Sequence, residues 1–225
     1  INTKVLPLEI SRGCIFKCKF CSYPMIGKKN LDFIRNVETL RKEMQRNYDR
    51  YGITIYYIID DTFNDNDYKL DAMLEAVKQL TFKPKFWAYT RLDLLTTRQH
   101  VDKLYQIGLC GMYFGIESLN PTTAKIIGKG YDRSKQINTI KHIREKYNNE
   151  IIMHGSFIVG LPQESIDSVN DSFEKLMNEG LTKSEAEAKA AKESADIDSF
   201  PVESVSWNDC QSVNLSNIFE YILYR

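Results

Sequence analysis

Residues 11–21 have the sequence Ser-Arg-Gly-Cys-Ile-Phe-Lys-Cys-Lys-Phe-Cys and hold three of the five cysteines of the chain. Cys14, Cys18 and Cys21 are separated by three and then two residues, so one short loop can turn three thiolates toward a single inorganic centre. Thiolates are soft ligands that suit zinc or an iron-sulfur cluster better than calcium or magnesium. A closed structural site takes four protein ligands. Three cysteines therefore predict a metal centre with one vacant position.

This spacing resembles the C-x3-C-x2-C signature of the radical SAM superfamily, with Phe20 as the aromatic residue before the last cysteine. The resemblance implies that Cys14, Cys18 and Cys21 bind three irons of a four-iron four-sulfur cluster, and that S-adenosylmethionine chelates the fourth iron. It also implies cleavage of S-adenosylmethionine to methionine and a 5'-deoxyadenosyl radical, which abstracts hydrogen from a substrate. The flanking Arg-Gly-Cys and Phe-Cys-Ser are most similar to the branch that contains cobalamin-binding radical SAM proteins, although Ile15 stands where that branch often has proline.

Other uses of the cysteines fit the sequence less well. A zinc site would need a fourth ligand, and the three histidines are all distant in sequence from the cysteines: His100, His142 and His154. Disulfides are disfavoured because the cysteine total is odd, and because Cys110 and Cys210 lie in apolar or unpatterned surroundings. An electron-transfer cluster usually has four ligands, and the two remaining cysteines are too few for a second cluster of that kind.

The composition is ordinary for a soluble enzyme, with 225 residues, 43% of them hydrophobic and 27% charged. Lys plus Arg equals Asp plus Glu at 30 each, which gives no support for non-specific nucleic-acid binding or membrane attraction. No apolar run approaches the roughly 20 residues that span a bilayer, and no signal peptide is evident. We therefore expect a cytoplasmic, reducing compartment. Because the chain starts at Ile1 rather than methionine, we also expect residues upstream.

Strand patterns alternate with helical patterns along the chain. Strands are predicted at residues 4–11, 53–59, 86–90, 111–116 and 151–159. Each is followed by apolar residues at helical spacing, of which the first set begins at Ile34. This repeat predicts a parallel α/β fold that right-handed crossovers curl into a barrel. Pro7 places the first strand at a sheet edge, which a closed barrel does not have. Together with the resemblance, this predicts a partial, open (βα)6 TIM-type barrel.

The pattern changes after Gly180, where Ala, Glu and Lys become frequent. A short helical insertion is predicted there, either as a solvated surface helix or as a lid over the site. A sixth strand and a closing helix follow it. The predicted units are a radical SAM core of residues 1–180, an insertion of residues 181–200, and a closing strand and helix in residues 201–225.

Polar residues end the predicted strands, and in such barrels the chemistry lies at the carboxyl ends of the strands. Asp60 and Asp61 resemble an Asp-Asp-Thr-Phe stretch whose polar groups approach the methionine amino group of S-adenosylmethionine, and Asp60 is the candidate for that contact. Adjacent strand residues point to opposite sides, so Asp61 is the candidate catalytic residue that meets the substrate. The alternative is that one or both aspartates cap the next helix.

Arg91 ends the third predicted strand, and its guanidinium can donate two parallel hydrogen bonds to the methionine carboxylate. The alternative is a salt bridge with Asp93 or Glu117 at the rim. Glu117 and Ser118, within Phe-Gly-Ile-Glu-Ser, resemble the motif of the fourth strand that contacts the ribose.

Two apolar residues are candidates for contact with the adenine. Residues 158–164, Ile-Val-Gly-Leu-Pro-Gln-Glu, resemble the fifth-strand motif in which the backbone and an isoleucine, here Ile158, flank the base. Phe20 either stacks near the adenine or shields the cluster from water.

The leading hypothesis is an enzyme that reductively cleaves S-adenosylmethionine to modify an unknown substrate, with an electron donor such as flavodoxin or ferredoxin. One alternative is a binding protein whose loop is held by zinc or an inert cluster. Another is a relative that binds S-adenosylmethionine only as a regulatory ligand. No Asp-x-His-x-x-Gly stretch, which would resemble the cobalamin-binding signature, occurs in the chain. Methyl or methylthio transfer would therefore need further segments or a variant mechanism.

Overall fold

The computed structural model describes residues 4–22, 34–96, 98–129, 132–147 and 150–178. Five strands form one parallel sheet, and their order in the sheet follows their order in the chain. They are β1 (Val5–Leu8), β2 (Ile55–Ile58), β3 (Lys85–Thr90), β4 (Leu109–Glu117) and β5 (Ile152–Phe157). β1 lies at one edge, as Pro7 predicted, and within the described ranges the sheet is open. The predicted α/β class is confirmed.

Helices follow the strands, and several of them begin at a residue whose side chain caps the first turn. They are α1 (Val37–Tyr51), α2 (Asp67–Lys78), α3 (Arg98–Ile107), α4 (Pro121–Ile126), α5 (Arg133–Tyr147) and α6 (Ile166–Asn178). Asp132 caps α5 by accepting from Ser134 N at 2.8 Å. Asn66 is the N-cap of α2, so the alternative that Asp60 or Asp61 caps this helix is wrong. None of the helices in the described ranges is long and apolar enough to cross a membrane.

Successive residues of a strand point to opposite faces of the sheet, and residues paired in register on neighbouring strands point to the same face. The two faces therefore carry different sets of side chains. One face packs against the helices through buried residues, among them Tyr56, Ile58, Phe86, Ala88 and Met112. The opposite face, called here the aromatic face, carries rings in mutual contact: Tyr57, Trp87, Tyr89, Tyr113 and His154. Trp87 lies directly over Gly111, where an added Cβ would come within 2.4 Å of the indole.

Some elements differ from the predicted pattern. A 3₁₀ helix, Leu92–Thr96, follows β3, and the short helix α4 follows β4; neither was predicted. Ile34 was expected in the first helix, but it forms an antiparallel bridge with Ser11, and α1 begins three residues later at Val37. The predicted insertion, sixth strand and closing helix lie outside the described residues, so the division into units stays a prediction.

Candidate cofactor site

The cysteine loop, residues 11–22, leaves the end of β1 and follows the carboxyl edge of the sheet, where the five strands end. Gly13 has a φ of 72°, a left-handed conformation that favours glycine, and this turn leads directly into Cys14. Cys14 is buried, Cys18 and Cys21 are partly exposed, and all three are free thiols. The Cys21 N–H donates to the Cys18 carbonyl at 3.1 Å, which forms a turn between the last two cysteines.

The donor set of this loop fits an iron-sulfur cluster. In the part of the chain that the structure describes, no three His, Cys, Asp or Glu side chains are placed to hold one metal ion. A four-iron four-sulfur cluster makes a different demand, because each cysteine binds its own iron. Of the histidines considered as zinc ligands, His100 contacts Asp67 at 2.9 Å and His154 stacks on Tyr113.

Asp60 fixes the start of the cysteine loop. Its carboxylate is 1% exposed and accepts from Ile10 N at 2.9 Å, Ser11 N at 3.0 Å and Ser11 Oγ at 2.7 Å. The contact of Asp60 with the methionine amino group stays a prediction. In the structure these hydrogen bonds give Asp60 a structural role: they tie the end of β2 to the residues that lead into the cysteines.

Lys69 is a buried cation that the sequence pattern did not predict. Its side chain is 0% exposed, and Nζ lies 3.2 Å from Asp60 Oδ2 and 2.7 Å from Asp65 Oδ1. Nζ also donates to Thr62 O at 2.6 Å and to Ser11 Oγ at 3.1 Å. Two carboxylates offset the cost of burying the ammonium group. The available signal was its position on the buried face of α2, four residues before Met73.

Two side chains that follow the neighbouring strands lie against cysteine sulfur atoms. Thr62 Oγ1, after β2, lies 3.4 Å from Cys14 Sγ. Arg91, after β3, donates from Nη1 to Cys18 Sγ at 3.3 Å and from Nε and Nη2 to Asp93 at 3.0 and 2.8 Å. Burial acts to lower the pKa of Arg91, but the hydrogen bonds and charge of Asp93, with a smaller contribution from Cys18, raise it. The alternative salt bridge to Asp93 is therefore present.

Glu117 adopts a strained turn at the end of β4. Its φ is 60°, which is uncommon for a residue other than glycine, and the Ser118 N–H reaches back to Ile116 O at 2.8 Å. Lys129 Nζ donates to Glu117 Oε1 at 2.9 Å and to Gly115 O at 2.8 Å. Strain of this kind concentrates at functional sites. The ribose contact of Glu117 and Ser118 stays a prediction.

Ser118 contacts a carboxylate from the segment after β5. Its Oγ donates to Glu164 Oε1 at 2.6 Å and accepts from Asn120 N at 3.1 Å. Burial raises the pKa of Glu164, and the hydrogen bond from Ser118 partly offsets that effect. The other oxygen, Oε2, is buried without a hydrogen-bond partner among the described residues. This side of the site therefore holds an acceptor that a bound ligand can use.

The two predicted adenine neighbours lie together. Phe20 packs against a small apolar cluster of Ile127, Ile158 and Leu161. The Lys19 N–H donates to Ile127 O at 2.9 Å, at the end of α4, so this unpredicted helix holds the far end of the cysteine loop. The structure therefore brings Phe20 and Ile158 together, as the predicted adenine contact requires.

The candidate residues form two groups along the carboxyl edge of the sheet. Asp60 and Arg91 contact the cysteine loop from β2 and β3, and Asp61 is half-buried beside them. The other group lies around β4 and β5: Phe20, Glu117, Ser118 and Ile158. The role of Asp61 toward a substrate stays a prediction.

The sequence profile of the Radical SAM superfamily matches residues 8–176, so the chain belongs to that superfamily. Its cofactors are accordingly a four-iron four-sulfur cluster and S-adenosylmethionine. An uncharacterised methyltransferase of Pyrococcus horikoshii is 33% identical over 161 residues, which are 71% of this chain and 34% of that protein. Cytidylyl-2-hydroxyethylphosphonate methyltransferase of Streptomyces wedmorensis is 27% identical over 193 residues, 81% of this chain and 34% of that protein.

Solved structures show the same fold. The radical SAM methyltransferase TsrM of Kitasatospora setae, solved with cobalamin and a [4Fe-4S] cluster, has a TM-score of 0.64 at 17% identity over 79% of this chain and 35% of its own. The cobalamin-dependent radical enzyme OxsB has a TM-score of 0.60 at 20% identity over 76% of this chain and 26% of its own. Both neighbours share the fold that the sequence resemblance predicted. The chain spans about a third of the length of the curated relatives that it matches.

Proposed function

We propose that this chain is the core of a radical SAM enzyme that holds its cluster through Cys14, Cys18 and Cys21 and modifies an unidentified substrate. The observation that supports this proposal best is the cysteine loop, which β2, β3 and α4 hold at the carboxyl edge of the sheet. When bound and reduced, the cluster supplies the electron that splits S-adenosylmethionine into methionine and a 5'-deoxyadenosyl radical. An external donor such as flavodoxin or ferredoxin supplies that electron to the protein.

The group of residues after β2 and β3 serves the methionine part of the ligand in this proposal. Arg91 lies beside Cys18 and has guanidinium N–H groups in a fork that suits a carboxylate. Asp60 holds the start of the cysteine loop, and its predicted contact with the amino group is part of the same proposal. Asp61 is half-buried at the same strand end and is the candidate to meet the substrate.

The group of residues around β4 and β5 serves the nucleoside part. Phe20 and Ile158 form an apolar surface that suits one face of the adenine. Glu117 and Ser118 offer oxygen atoms to the ribose hydroxyls, with Lys129 orienting the Glu117 carboxylate at 2.9 Å. The buried Oε2 of Glu164 adds an acceptor beside Ser118.

Methyl transfer is the reaction outcome that we propose, because the relatives in Pyrococcus horikoshii and Streptomyces wedmorensis carry that name. In this reaction the substrate loses a hydrogen atom to the 5'-deoxyadenosyl radical and gains a methyl group from a second S-adenosylmethionine, which leaves as S-adenosylhomocysteine. The electron donor supplies one electron for each of the two S-adenosylmethionine molecules. The experiment uses S-adenosylmethionine labelled in its methyl group and a small-molecule extract as the source of substrate. We expect label in a product that depends on the three loop cysteines. Cleavage of S-adenosylmethionine without any transfer of label would contradict methyl transfer and leave the cleavage proposal intact.

The direct test of the proposed function is anaerobic. The protein is reconstituted with iron and sulfide, reduced with dithionite and given S-adenosylmethionine, and 5'-deoxyadenosine is quantified. We expect product from the wild type and loss of both iron and product in the Cys14→Ala, Cys18→Ala, Cys21→Ala triple variant. Cys110→Ala removes a thiol outside the loop and is the matched control that keeps both.

The alternatives predict different outcomes of this experiment. A protein that loads the cluster and binds S-adenosylmethionine, yet forms no 5'-deoxyadenosine, would support a regulatory binder. A colourless protein that takes up zinc and no iron would support a zinc-held binding protein. Either result would contradict the proposed function.

A further inference from the structure

We propose that Arg91 and Thr62 raise the reduction potential of the cluster by donating hydrogen bonds to the thiolates of Cys18 and Cys14. This inference rests on the proposed function, since it requires a cluster bound by the cysteine loop. It gives Arg91 a role beyond the predicted contact with the methionine carboxylate, and it assigns a role to Thr62, for which the sequence suggested none.

The Arg91 guanidinium is held in one orientation. Nε and Nη2 donate to the two oxygens of Asp93 at 3.0 and 2.8 Å, which leaves Nη1 directed at Cys18 Sγ at 3.3 Å. Its Cζ lies 3.9 Å from the centroid of the Phe16 ring, and its side chain is 10% exposed. A guanidinium keeps its protons at any pH that a folded protein tolerates, so Arg91 is a permanent donor. Asp93 and Phe16 thus direct that donor at a cluster ligand.

The backbone of Arg91 is also fixed. Asn64 is 0% exposed; its Oδ1 accepts from Arg91 N at 2.7 Å, and its Nδ2 donates to Arg91 O at 3.0 Å. This pair of hydrogen bonds ties the segment after β2 to the residue that follows β3. The backbone and the guanidinium of Arg91 are therefore both held in place before any ligand binds.

Thr62 lies against the first cysteine. Its residue is 4% exposed, Oγ1 lies 3.4 Å from Cys14 Sγ, and its carbonyl accepts from Lys69 Nζ at 2.6 Å. A cysteine must lose its proton to bind a metal, and a thiolate can only accept a hydrogen bond. The Thr62 hydroxyl must then be the donor in this contact, because no proton remains on the sulfur.

Both contacts act on the cluster in the same direction. Reduction adds one negative charge to the cluster, and hydrogen bonds to ligand sulfur atoms stabilise that charge. Outer hydrogen bonds of this kind tune metal centres in proteins. Arg91 should have the larger effect, since a charged donor makes a stronger hydrogen bond than a hydroxyl does.

The test measures the midpoint potential of the reconstituted protein in the absence of S-adenosylmethionine, by redox titration with electron paramagnetic resonance detection. We expect a more negative potential in Arg91→Met, a smaller negative shift in Thr62→Val, and unchanged iron content in both. The control is Arg12→Met, which removes an equal charge from the cysteine loop itself, at a side chain that is 72% exposed and paired with Glu9. It should leave the potential unchanged.

Several results would overturn the inference. Wild-type potentials in loaded Arg91→Met and Thr62→Val would do so, as would an equal shift in Arg12→Met. If Arg91→Met fails to load, Thr62→Val, which keeps the shape of the side chain, decides the question alone. A wild type that never binds a cluster refutes the proposed function instead. Weaker binding of S-adenosylmethionine at an unchanged potential would assign Arg91 to the methionine carboxylate only.

Discussion

The two ends of the carboxyl edge of the sheet hold the cysteine loop by different means. After β2 and β3 the contacts are buried charges and hydrogen bonds, from Asp60 to Ser11 and from Arg91 to Cys18. Near β4 and β5 the contact is apolar, where Phe20 packs on the cluster around Ile158. The contacts after β2 and β3, called here the first end, hold individual atoms in place. The contacts near β4 and β5, called here the second end, form an apolar surface.

This difference separates two tasks of a cofactor site. Hydrogen bonds to charged groups are directional and depend on distance, so they suit a metal centre whose ligands must be held at set positions. Apolar packing has no such direction and suits a flat ring. Substitutions at the first end should therefore affect folding or the cluster, and substitutions at the second end should affect the binding of S-adenosylmethionine.

The largest effect is expected at Lys69, at the first end. Lys69→Met removes the ammonium group from between Asp60 and Asp65, and two buried carboxylates then lose their shared cation. Breaking a buried ion pair in this way costs about 3–5 kcal/mol. We expect the free energy of unfolding to fall by that amount, measured by urea denaturation.

The matched control lies on the same helix. Lys78→Met removes an exposed lysine from the last turn of α2, and its effect should stay within about 0.5 kcal/mol. An equal loss of unfolding free energy in Lys69→Met and Lys78→Met would contradict the idea that buried charges stabilise the first end.

A smaller effect is expected at Gly115, at the second end. An added Cβ would lie 1.9 Å from Glu117 Oε1 and 2.5 Å from Lys129 Nζ, so both side chains must move. We expect Gly115→Ala to weaken the binding of S-adenosylmethionine about tenfold, which is about 1.4 kcal/mol, and to leave the iron content unchanged. Equilibrium dialysis and iron analysis measure the two quantities. Ser156→Ala, at the neighbouring position in the sheet register, is the control. Loss of iron in Gly115→Ala would contradict the assignment of cluster binding to the first end and of S-adenosylmethionine binding to the second.

The smallest effect is expected in the pH dependence of stability. Burial raises the pKa of Glu164 above its ordinary value of 4.5, so the folded protein binds more protons than the unfolded chain just above that pH. The free energy of unfolding should therefore fall as the pH rises from about 4.5 through the raised pKa. Below the ordinary value both states are protonated, and Glu164 has no effect on the slope.

Glu164→Gln removes this titration and should flatten the slope, measured by urea denaturation at several pH values. Glu174→Gln, at an exposed position of α6, should leave the slope unchanged. A wild-type slope in Glu164→Gln would show that burial of this carboxyl group does not influence stability.

Local patterns predicted the parts of the fold that depend on residues close in sequence. Cysteine spacing predicted the loop, and Pro7 predicted the edge strand. Each of these depends on a few consecutive residues. The short helix α4 was missed because its six residues show too little periodicity to distinguish it from a turn.

Contacts between distant residues explain what could not be predicted in the site. Lys69 and Ser11 are 58 residues apart, and Arg91 and Cys18 are 73 apart. The spacing from Met73 places Lys69 on the buried face of α2, but it does not indicate that the ammonium group itself is buried, because a lysine on a helix is usually exposed. The φ of Glu117 was also unforeseen, since glycine is the residue expected at such a turn.

The indole over Gly111 provides an optical probe of the aromatic face. The chain has two tryptophans, Trp87 and Trp207, so Trp207→Phe leaves Trp87 as a single fluorophore. Its ring lies 5.7 Å from both Tyr113 and His154, so its emission reports on the centre of this face without an added label. A molecule that binds against these rings should change the emission of Trp87. Measuring this change as a compound is titrated into the protein gives a screen for ligands of the aromatic face.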